Sequence, residues 1–426
     1  MEKFDAIIVG GGLAGLAAGF CLANAGVNTL LVERGNFCGG KNVSGGRLYG
    51  HSMETLIPGF AGEAPIERKI VSERLALLTK DGGLITDYRS NYLENSPSYS
   101  VIRGSFDRWL AGKAEKAGCT VITGIRVDEV LTKEGRVCGI RAEGDEVCAD
   151  VVILADGVNS LLSKRLGMKK ELDPFEVAVG IKEVIQLDEK TINERFGVGA
   201  GDGTALMATG YITGGHMGGG FLYTNSSTIS VGIVTTVGDI GHTDLSTAEM
   251  IERFKEHPCI RPLLEGGKTI EYMAHLVPEG GYRMLPELTG DGVLLAGDSA
   301  GFVMNLGYTV RGMDLAIESG RLAAEAVIRA KEVGDFSKES LALYEEKLNQ
   351  SFVLKELRHY QCFPEFMESS HRLYNDYSRM ADALMGQLYT VDGKEPVDLA
   401  VKALRSVKQV GLLNLVADGI KGLGAL

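Results

Sequence analysis

The sequence lacks the cysteine and histidine patterns of a metal or iron–sulfur site. Its seven cysteines contain no C-x-x-C pair, and its seven histidines show no metal-ligand spacing. An odd number of cysteines without paired spacing also argues against the disulfide framework of a small secreted protein. We therefore expect no metal ligands on this chain.

Positive charge is not in excess either, and no long apolar run is present. The net charge is −12 at pH 7, which leaves nucleic-acid binding without electrostatic support. The longest stretch without a charged residue, 203–238, is rich in Gly, Ser and Thr and alternates in period two, which predicts sheet rather than a membrane span. The amino end starts with a predicted strand and has no basic signal-peptide segment. These absences predict a cytoplasmic protein without nucleic-acid partners.

Glycine, by contrast, is abundant at 57 residues, and its first cluster forms a nucleotide fingerprint. A predicted strand, 6–9, leads into G-x-G-x-x-G, and a predicted helix over 13–25 follows. The next predicted strand, 29–32, ends at Glu33, which can bind ribose hydroxyls and disfavours a 2′-phosphate. The ligand is then FAD or NAD, and the alternative is a purely structural glycine turn. The predicted contacts of the adenosine half are Gly10, Gly12, Leu13, Ala14, Gly15, Glu33 and Arg34.

Two later segments favour FAD over NAD. The loop 39–50, GGKNVSGGRLYG, is dense in glycine and carries Lys41 and Asn42, whose side chains could meet ring oxygens or phosphate. Its alternative is a surface loop. Arg103 precedes a predicted helix and could neutralise a pyrophosphate, or it could instead pair with Asp107 on the surface. No catalytic domain with the His or Cys of an NAD dehydrogenase follows the fingerprint.

Two strand ends far along the chain complete the predicted site. The predicted strand 151–154 ends in small residues, which can cover the mononucleotide half of a dinucleotide. The predicted strand 293–296 ends at Asp298, whose carboxylate needs a partner that a ribityl hydroxyl of FAD would supply. A predicted helix over about 309–330 would direct its amino end at the flavin, and the alternative role of Asp298 is a helix N-cap. These strand ends contribute Ala155, Asp156, Gly157, Gly297 and Asp298.

Between and after these motifs lie a predicted sheet and a predicted helical tail. Residues 176–288 predict strands, with a hairpin across 225–227, and this sheet either shapes an apolar slot over the flavin or is structural only. No second nucleotide fingerprint is present, so electrons are expected from a protein. The closing segment, 396–426, has apolar residues at helical spacing with four basic and two acidic residues. Such a basic amphipathic helix lies in a bilayer interface or docks on the core or a partner.

With these motifs in order, the chain resembles the electron-transfer flavoprotein:quinone oxidoreductase family and most closely its FixC (EtfC) type. The superfamily is that of the glutathione-reductase-type flavoproteins, which also includes geranylgeranyl reductases. The segments that carry the resemblance are GKNVSGGRLYG, GGGFLYTN, VPEGG, NLGYTVRGMDLAI and VGLLNLVADGIKG. The resemblance implies that Arg103, Val127 and Asp156 flank the ADP half and that Gly297 and Asp298 hold ribityl and phosphate. It further implies a border of the flavin ring made by Lys41, Asn42, Val43, Gly45, Gly307 and Tyr308.

The resemblance also implies an activity and its partners. FAD would accept electrons from an electron-transfer flavoprotein of alpha and beta subunits and pass them to a membrane quinone, without a dedicated catalytic residue. Longer relatives carry a four-cysteine cluster segment near the carboxyl end, whereas only Cys362 follows Cys259 here. A separate small ferredoxin-like subunit is therefore implied, with the protein at the inner face of the cell membrane. The alternatives are a geranylgeranyl-reductase-like enzyme and a non-catalytic flavin scaffold.

The predicted fold class is α/β, with a Rossmann-like FAD-binding domain, an inserted and mainly antiparallel sheet domain, and a helical carboxyl-terminal region. The predicted FAD-binding parts are 1–75, 101–170 and 289–338. The predicted sheet domain takes strands from 76–100 and the whole of 171–288, and the helical region is 339–426.

Overall fold

The computed structural model describes residues 3–40 and 45–426, which form two sheets, helices packed around them and a helical tail. Its strands are β1 (Lys3–Val9), β2 (Thr29–Glu33), β3 (Gly46–Tyr49), β4 (Ile66–Leu78), β5 (Gly83–Tyr88), β6 (Ser98–Val101), β7 (Thr120–Thr123), β8 (Val127–Lys133), β9 (Arg136–Ala142), β10 (Asp145–Leu154), β11 (Val177–Gln186), β12 (Asp202–Gly210), β13 (Gly218–Thr224), β14 (Thr228–Thr236), β15 (Lys268–Pro278), β16 (Thr289–Gly290), β17 (Val293–Leu295), β18 (Met304–Asn305) and β19 (Val310–Arg311).

The helices of the same residues alternate with these strands and then continue alone to the carboxyl end. They are α1 (Leu13–Asn24), α2 (His51–Leu56), α3 (Asn91–Asn95), α4 (Arg103–Lys116), α5 (Leu161–Arg165), α6 (Glu189–Phe196), α7 (Val237–Ile240), α8 (Thr247–Lys255), α9 (Arg261–Leu264), α10 (Met313–Val333), α11 (Lys338–Leu341), α12 (Leu343–Gln350), α13 (Phe352–His359), α14 (Phe363–Ser369), α15 (Asp376–Tyr389), α16 (Leu399–Val410) and α17 (Leu412–Ala425).

The first sheet has the strand order β16-β17-β10-β1-β2-β7, and β1, β2, β7, β10 and β17 run parallel. Its central strands read as continuous apolar runs because both faces are covered, and Ile7 and Ile8 are fully buried. The register aligns Val9 with Leu154 and Leu154 with Leu295. The residues that follow β1, β10 and β17 therefore meet at one edge of the sheet.

The second sheet has the order β15-β11-β14-β13-β12-β4-β6-β3 and is antiparallel except for the pair β12 and β4. The predicted hairpin across 225–227 is present, since β13 and β14 pair on either side of it. This sheet begins early in the chain, and the predicted domain boundary after residue 75 falls inside β4. The α/β class, with a Rossmann-like domain, an antiparallel sheet and a helical carboxyl-terminal region, is confirmed.

The helices α1 and α10 cross, and this crossing brings together two glycine-rich segments that lie far apart in the sequence. A Cβ on Gly320 would lie 2.0 Å from the carbonyl oxygen of Ala14, so the two helices touch backbone to backbone. The amide of Gly297 donates to Ser319 Oγ at 3.0 Å, which fixes the end of β17 to the same helix. This crossing places the amino ends of both helices beside the sheet edge.

The tail differs from the single amphipathic helix that the sequence predicts. It forms two helices, α16 and α17, because Gly411 between them adopts a left-handed φ of 88°. Glycine is suited to that position, since other residues reach positive φ only with strain. Within residues 3–40 and 45–426, no helix is both long and apolar enough to cross a membrane.

Candidate functional site

A cavity of about 950 Å³ lies where the edge of the first sheet faces the second sheet and the carboxyl-terminal helices. This volume is at the upper end of the range for small-molecule sites, about 300–1,000 Å³. Its lining has two contrasting parts. The first, the glycine wall, comes from the first sheet and its helices and consists of Gly10, Gly12, Ala14, Ala155, Gly157, Gly297 and Gly312. The second, the apolar wall, comes from the second sheet and the helices and consists of Leu75, Leu77, Met207, Met217, Phe221, Val277, Phe363, Phe366, Met367 and Leu373.

The glycine wall is built by backbone segments too close for side chains. Gly10 has a φ of 110°, and a Cβ there would lie 2.2 Å from the carbonyl oxygen of Ala155. A Cβ on Gly15 would lie 2.0 Å from the carbonyl oxygen of Gly10. Gly12, at the amino end of α1, faces the cavity, and a Cβ there would meet no heavy atom within 4 Å. A phosphate group can therefore approach the free N–H groups of α1.

Glu33 closes this wall at the end of β2. Its Oε2 accepts the amide of Gly11 at 2.7 Å and its Oε1 accepts the amide of Gly35 at 2.6 Å. The side chain is buried and borders the cavity. Each oxygen keeps acceptor capacity beyond its backbone amide, which suits a ribose diol.

Arg103 forms the buried cationic part of the lining. Its Nε and Nη2 donate to the two carboxylate oxygens of Asp107 at 2.7 and 2.8 Å. The predicted alternative of an Arg103–Asp107 pair is therefore correct in its partners, but the prediction of a surface pair is wrong, since Asp107 is fully buried. Arg103 lines the cavity, and its third nitrogen, Nη1, makes no hydrogen bond to residues 3–40 or 45–426, which suits it to an anionic ligand.

Asp156 takes part in a buried polar cluster that sequence reasoning missed. Ser299 Oγ donates to Asp156 Oδ1 at 2.6 Å, and the amide of Gly157 donates to Ser299 Oγ at 3.0 Å. Lys169 lies behind them and donates to the carbonyl oxygen of Ser299 at 3.0 Å. Burial lowers the pKa of Lys169 to about 8, against the opposing effect of Asp156. Lys169 follows no recognisable motif, so only the folded chain brings it here.

Asp298 lies in a turn of 3₁₀ helix directly after β17 and lines the cavity. Its carboxylate accepts no hydrogen bond from residues 3–40 or 45–426, and it makes no N-cap contact, so the predicted N-cap alternative is not seen there. Burial raises the pKa of Asp298, while the nearby His275 and Arg103 oppose that shift. A buried carboxylate facing a cavity without a donor is suited to a ligand hydroxyl.

Lys182 brings a second cation to the cavity from the middle of β11. Its Nζ donates to the carbonyl oxygen of Gly45 at 2.8 Å and lies 5.2 Å from the centre of the Phe221 ring. Burial is the main cause that lowers the pKa of Lys182 to about 8. No sequence signal pointed to this residue, because a lysine within an apolar strand is compatible with an edge or a solvent-facing position.

The structure brings most of the predicted site residues to this one cavity. Gly15 lies beneath the wall and packs on Gly10 rather than lining it. The predicted contacts Lys41, Asn42 and Val43 fall outside the described residues, so their roles stay predictions. The predicted residues that line the cavity are Gly10, Gly12, Leu13, Ala14, Glu33, Arg34, Gly45, Arg103, Val127, Ala155, Asp156, Gly157, Gly297, Asp298, Gly307 and Tyr308.

The glycine wall, with Glu33 and Arg103 beside it, suits an extended dinucleotide. The class of the protein is that of an FAD-dependent oxidoreductase. Residues 5–162 match the family model described as FAD dependent oxidoreductase. The fold is similar to that of a geranylgeranyl bacteriochlorophyll reductase-like protein of Thermoplasma acidophilum, with a TM-score of 0.74 and 23% identity over 96% of this chain and 99% of that one. The predicted cofactor, FAD, is confirmed.

Within that class, the chain belongs to the ETF-QO/FixC family. It is 50% identical to Protein FixC of Salmonella typhi, over 100% of this chain and 99% of the relative. It is 47% identical, over the same shares, to YdiS of Escherichia coli (strain K12), a probable electron transfer flavoprotein-quinone oxidoreductase. Residues 177–277 match the model for the ubiquinone-binding domain of ETF-QO, and residues 363–426 match that for the ETF-QO/FixC carboxyl-terminal domain. The resemblance noted in the sequence is thereby confirmed.

Proposed function

We propose that this protein takes electrons from an electron-transfer flavoprotein, of alpha and beta subunits, and passes them through FAD to a membrane quinone. The observation that carries the proposal is that α14, which lines the apolar wall of the cavity, packs against α17, which carries exposed apolar side chains. FAD, when bound, supplies a carrier that exchanges one or two electrons. The chain's part is to hold that carrier, exclude water and admit a lipid-soluble acceptor.

The apolar wall suits a quinone ring because it offers area rather than hydrogen bonds. Phe366 and Met367 of α14 line the cavity together with residues of the second sheet. Behind them, α17 packs on α14, and a Cβ on Gly422 would lie 3.2 Å from the ring of Phe366. The helix that closes the chain thus forms the outer layer of the wall.

The tail patch supports entry of the quinone from a bilayer. We define this patch by the exposed apolar side chains of α16 and α17. Around it lie four basic and two acidic residues, on a chain of net charge −12. A basic amphipathic surface of this kind lies in the interface of an anionic membrane. We propose peripheral attachment to the inner face of the cell membrane through the tail patch, which consists of Leu399, Val401, Leu404, Leu412, Leu413, Val416, Ile420 and Leu423.

The residues in and beside the glycine wall support a second role of the chain, which is to hold FAD. We propose that the amides of α1 and the Arg103 guanidinium bind the pyrophosphate, that Glu33 binds ribose, and that Asp298 binds the ribityl chain. We also propose a separate ferredoxin-like iron–sulfur subunit as a partner. It is supported by the family resemblance and by the single cysteine, Cys362, that follows Cys259 in the sequence.

An anaerobic reoxidation experiment tests the proposal. The FAD-loaded protein is reduced photochemically and mixed with a short-chain ubiquinone, and the flavin absorbance is followed. We expect rapid return of the oxidised spectrum, and flavin that stays reduced in excess quinone would contradict the function. The same reduced protein mixed with a prenyl-chain substrate is the comparison, since reoxidation by that substrate alone would favour a prenyl reductase.

A further inference from the structure

Glu279 carries a buried carboxyl group in the middle of the VPEGG segment, in the part of the cavity bordered by the apolar wall. It follows β15 directly, is 8% exposed and lines the cavity. Two contacts show that the residues around Glu279 pack against α14. A Cβ on Gly281 would lie 3.1 Å from Pro364, and a Cβ on Gly307 would lie 3.4 Å from Met367. Glu279 therefore lies where the loop after β15, the β18–β19 hairpin and α14 meet.

Asn305 holds this carboxyl group in one orientation. The amide of Gly307 donates to Asn305 Oδ1 at 2.9 Å, so the Nδ2 group of Asn305 points the other way. That Nδ2 group donates to Glu279 Oε2 at 3.1 Å. Asn305 also lines the cavity. Oε2 of Glu279 is thus held, whereas Oε1 accepts no hydrogen bond from the residues that the structure describes and can face a ligand.

The surroundings of Glu279 do not compensate a negative charge. No lysine, arginine or histidine of residues 3–40 and 45–426 forms an ion pair with it. The adjacent Tyr374 donates its hydroxyl to the carbonyl oxygen of Met367, and the backbone amide of Glu279 donates to the carbonyl oxygen of Glu176. His275, four residues earlier on β15, faces Asp298 instead. Burial raises the pKa of Glu279 to about 7, against the opposing effect of Asn305.

We propose that Glu279 donates a proton to the quinone oxygen during reduction and that Asn305 is its positioning residue. The proposal rests on the quinone function above. Reduction of a quinone to a quinol takes two electrons and two protons. In the proposed step the O–H bond of Glu279 breaks as one O–H bond forms on the quinone, and the two electrons and the other proton would be supplied by bound, reduced FAD. The carboxylate then recovers its proton from bulk water after the quinol has left the cavity.

The test compares two acceptors for the anaerobically reduced, FAD-loaded protein in stopped flow. Short-chain ubiquinone needs protons, whereas ferricenium takes electrons alone. We expect Glu279→Gln to slow oxidation by ubiquinone by about 10-fold or more, as loss of a general acid does, and to leave oxidation by ferricenium within about twofold. Glu365→Gln, at an exposed carboxylate paired with Arg283, is the control and should match the parent with both acceptors.

The pH dependence gives a second measurement with a defined sign. The parent rate with ubiquinone should fall as pH rises through about 7, where Glu279 loses its proton. Asn305→Leu removes the hydrogen bond that lowers this pKa, so the fall should move to higher pH. Glu279→Gln should show no such fall. Asn305→Leu also keeps the proposal testable should Glu279→Gln fold poorly.

A third measurement needs no turnover. The folded state binds the Glu279 proton more tightly than the unfolded state. The thermal stability of the parent should therefore fall, relative to that of Glu279→Gln, as pH rises from about 5 to about 7. If ubiquinone oxidises the parent and Glu279→Gln at the same rate, the role of Glu279 as a proton donor is overturned, whereas the quinone function is not. Equal slowing with both acceptors would also overturn the proton-donor role, since Glu279 would then have a structural role. A parent that ferricenium oxidises and ubiquinone does not would refute the quinone function itself.

Discussion

The two walls of the cavity are made in opposite ways. In and directly beneath the glycine wall, backbone groups approach one another so closely that an added methyl group would overlap its neighbour. A Cβ on Gly15, for example, would lie 2.0 Å from the carbonyl oxygen of Gly10. In the apolar wall, the surface is formed by side chains such as Phe366 that arrive from separate strands and helices. The first wall has fixed backbone donors, and the second has replaceable apolar area.

This difference matches two kinds of ligand. Close-packed backbone donors keep their geometry without rearrangement, which suits a cofactor that stays bound through many cycles. Apolar side chains bind by area and without direction, which suits a substrate that enters and leaves. The two walls should therefore respond separately to mutation, and the following changes test that separation in order of expected effect.

The largest effect is expected from Gly15→Ala, directly beneath the glycine wall. The added methyl group would overlap the Gly10 carbonyl oxygen at 2.0 Å, and relieving it must move the phosphate-binding turn. A cost of about 3 kcal/mol corresponds to about 100-fold weaker FAD binding, measured by titrating the apoprotein with FAD. Gly112→Ala is the matched control in the helix α4, where nothing lies within 4 Å. It should retain FAD affinity and gain about 0.5–1 kcal/mol of stability.

Glu33→Gln should weaken FAD binding less, by about 10- to 100-fold. The carboxylate of Glu33 now accepts the backbone N–H of Gly11 at 2.7 Å and that of Gly35 at 2.6 Å. A glutamine side chain would place its NH₂ group against one of these two N–H groups. Losing a hydrogen bond to a charged group costs about 1.5–3 kcal/mol. The KM for quinone, measured with saturating FAD, should stay unchanged. Glu63→Gln, at an exposed pair with Lys113, is the control, and a parallel rise of the quinone KM would argue against separate walls.

Phe366→Ala addresses the apolar wall and should have the reverse pattern. Removing the ring takes away apolar contact worth about 1.5 kcal/mol, which corresponds to about a 10-fold rise in the KM for quinone. The affinity for FAD should not change, because Phe366 belongs to the apolar wall and not to the glycine wall. Phe175→Ala removes a ring that packs on Gly238 outside the lining and serves as the control. Weakened FAD binding in Phe366→Ala would show that the walls are coupled.

The glycine wall and the apolar wall also differ in how far the sequence predicts them. Gly10, Gly15 and Glu33 lie in one contiguous motif, so local strand, turn and helix signals were enough to predict that wall. Asp298 was also predictable, because a carboxylate at the end of an apolar strand has no structural use without a partner. Such signals depend on neighbours in the sequence, which the glycine wall provides.

The apolar wall and its polar residues could not be predicted in this way. Lys182 and Glu279 are separated by almost a hundred residues, and their common cavity depends on the pairing of β11 with β15. Lys169 reaches Ser299 only through the closure of the first sheet. A sequence shows the type of each of these residues, but their burial and partners arise from non-local packing.

The smallest effect is expected at the outermost layer of the apolar wall. Arg372 donates to both carboxylate oxygens of Asp418 on α17 at 2.6 Å, and Tyr377, which lines the cavity, donates to the same carboxylate at 2.6 Å. Because Arg372 is partly exposed and solvent screens the pair, Asp418→Asn should cost only about 1 kcal/mol. Amide hydrogen exchange in α17 should then be about fivefold faster, with no change in FAD affinity.

The pH dependence of that difference distinguishes an ion pair from simple packing. Hydrogen bonding to Arg372 lowers the pKa of Asp418, so the stabilisation is present above the ordinary pKa of an aspartate, about 3.9, and is lost as pH falls through the lower folded value. Free energies of opening of α17 should therefore differ between parent and Asp418→Asn by a constant amount from about pH 5 to pH 8, and converge below about pH 4. A difference that persists in acid would mean that the uncharged contacts of the Asp418 side chain with Arg372 and Tyr377, rather than its charge, hold α17 in place.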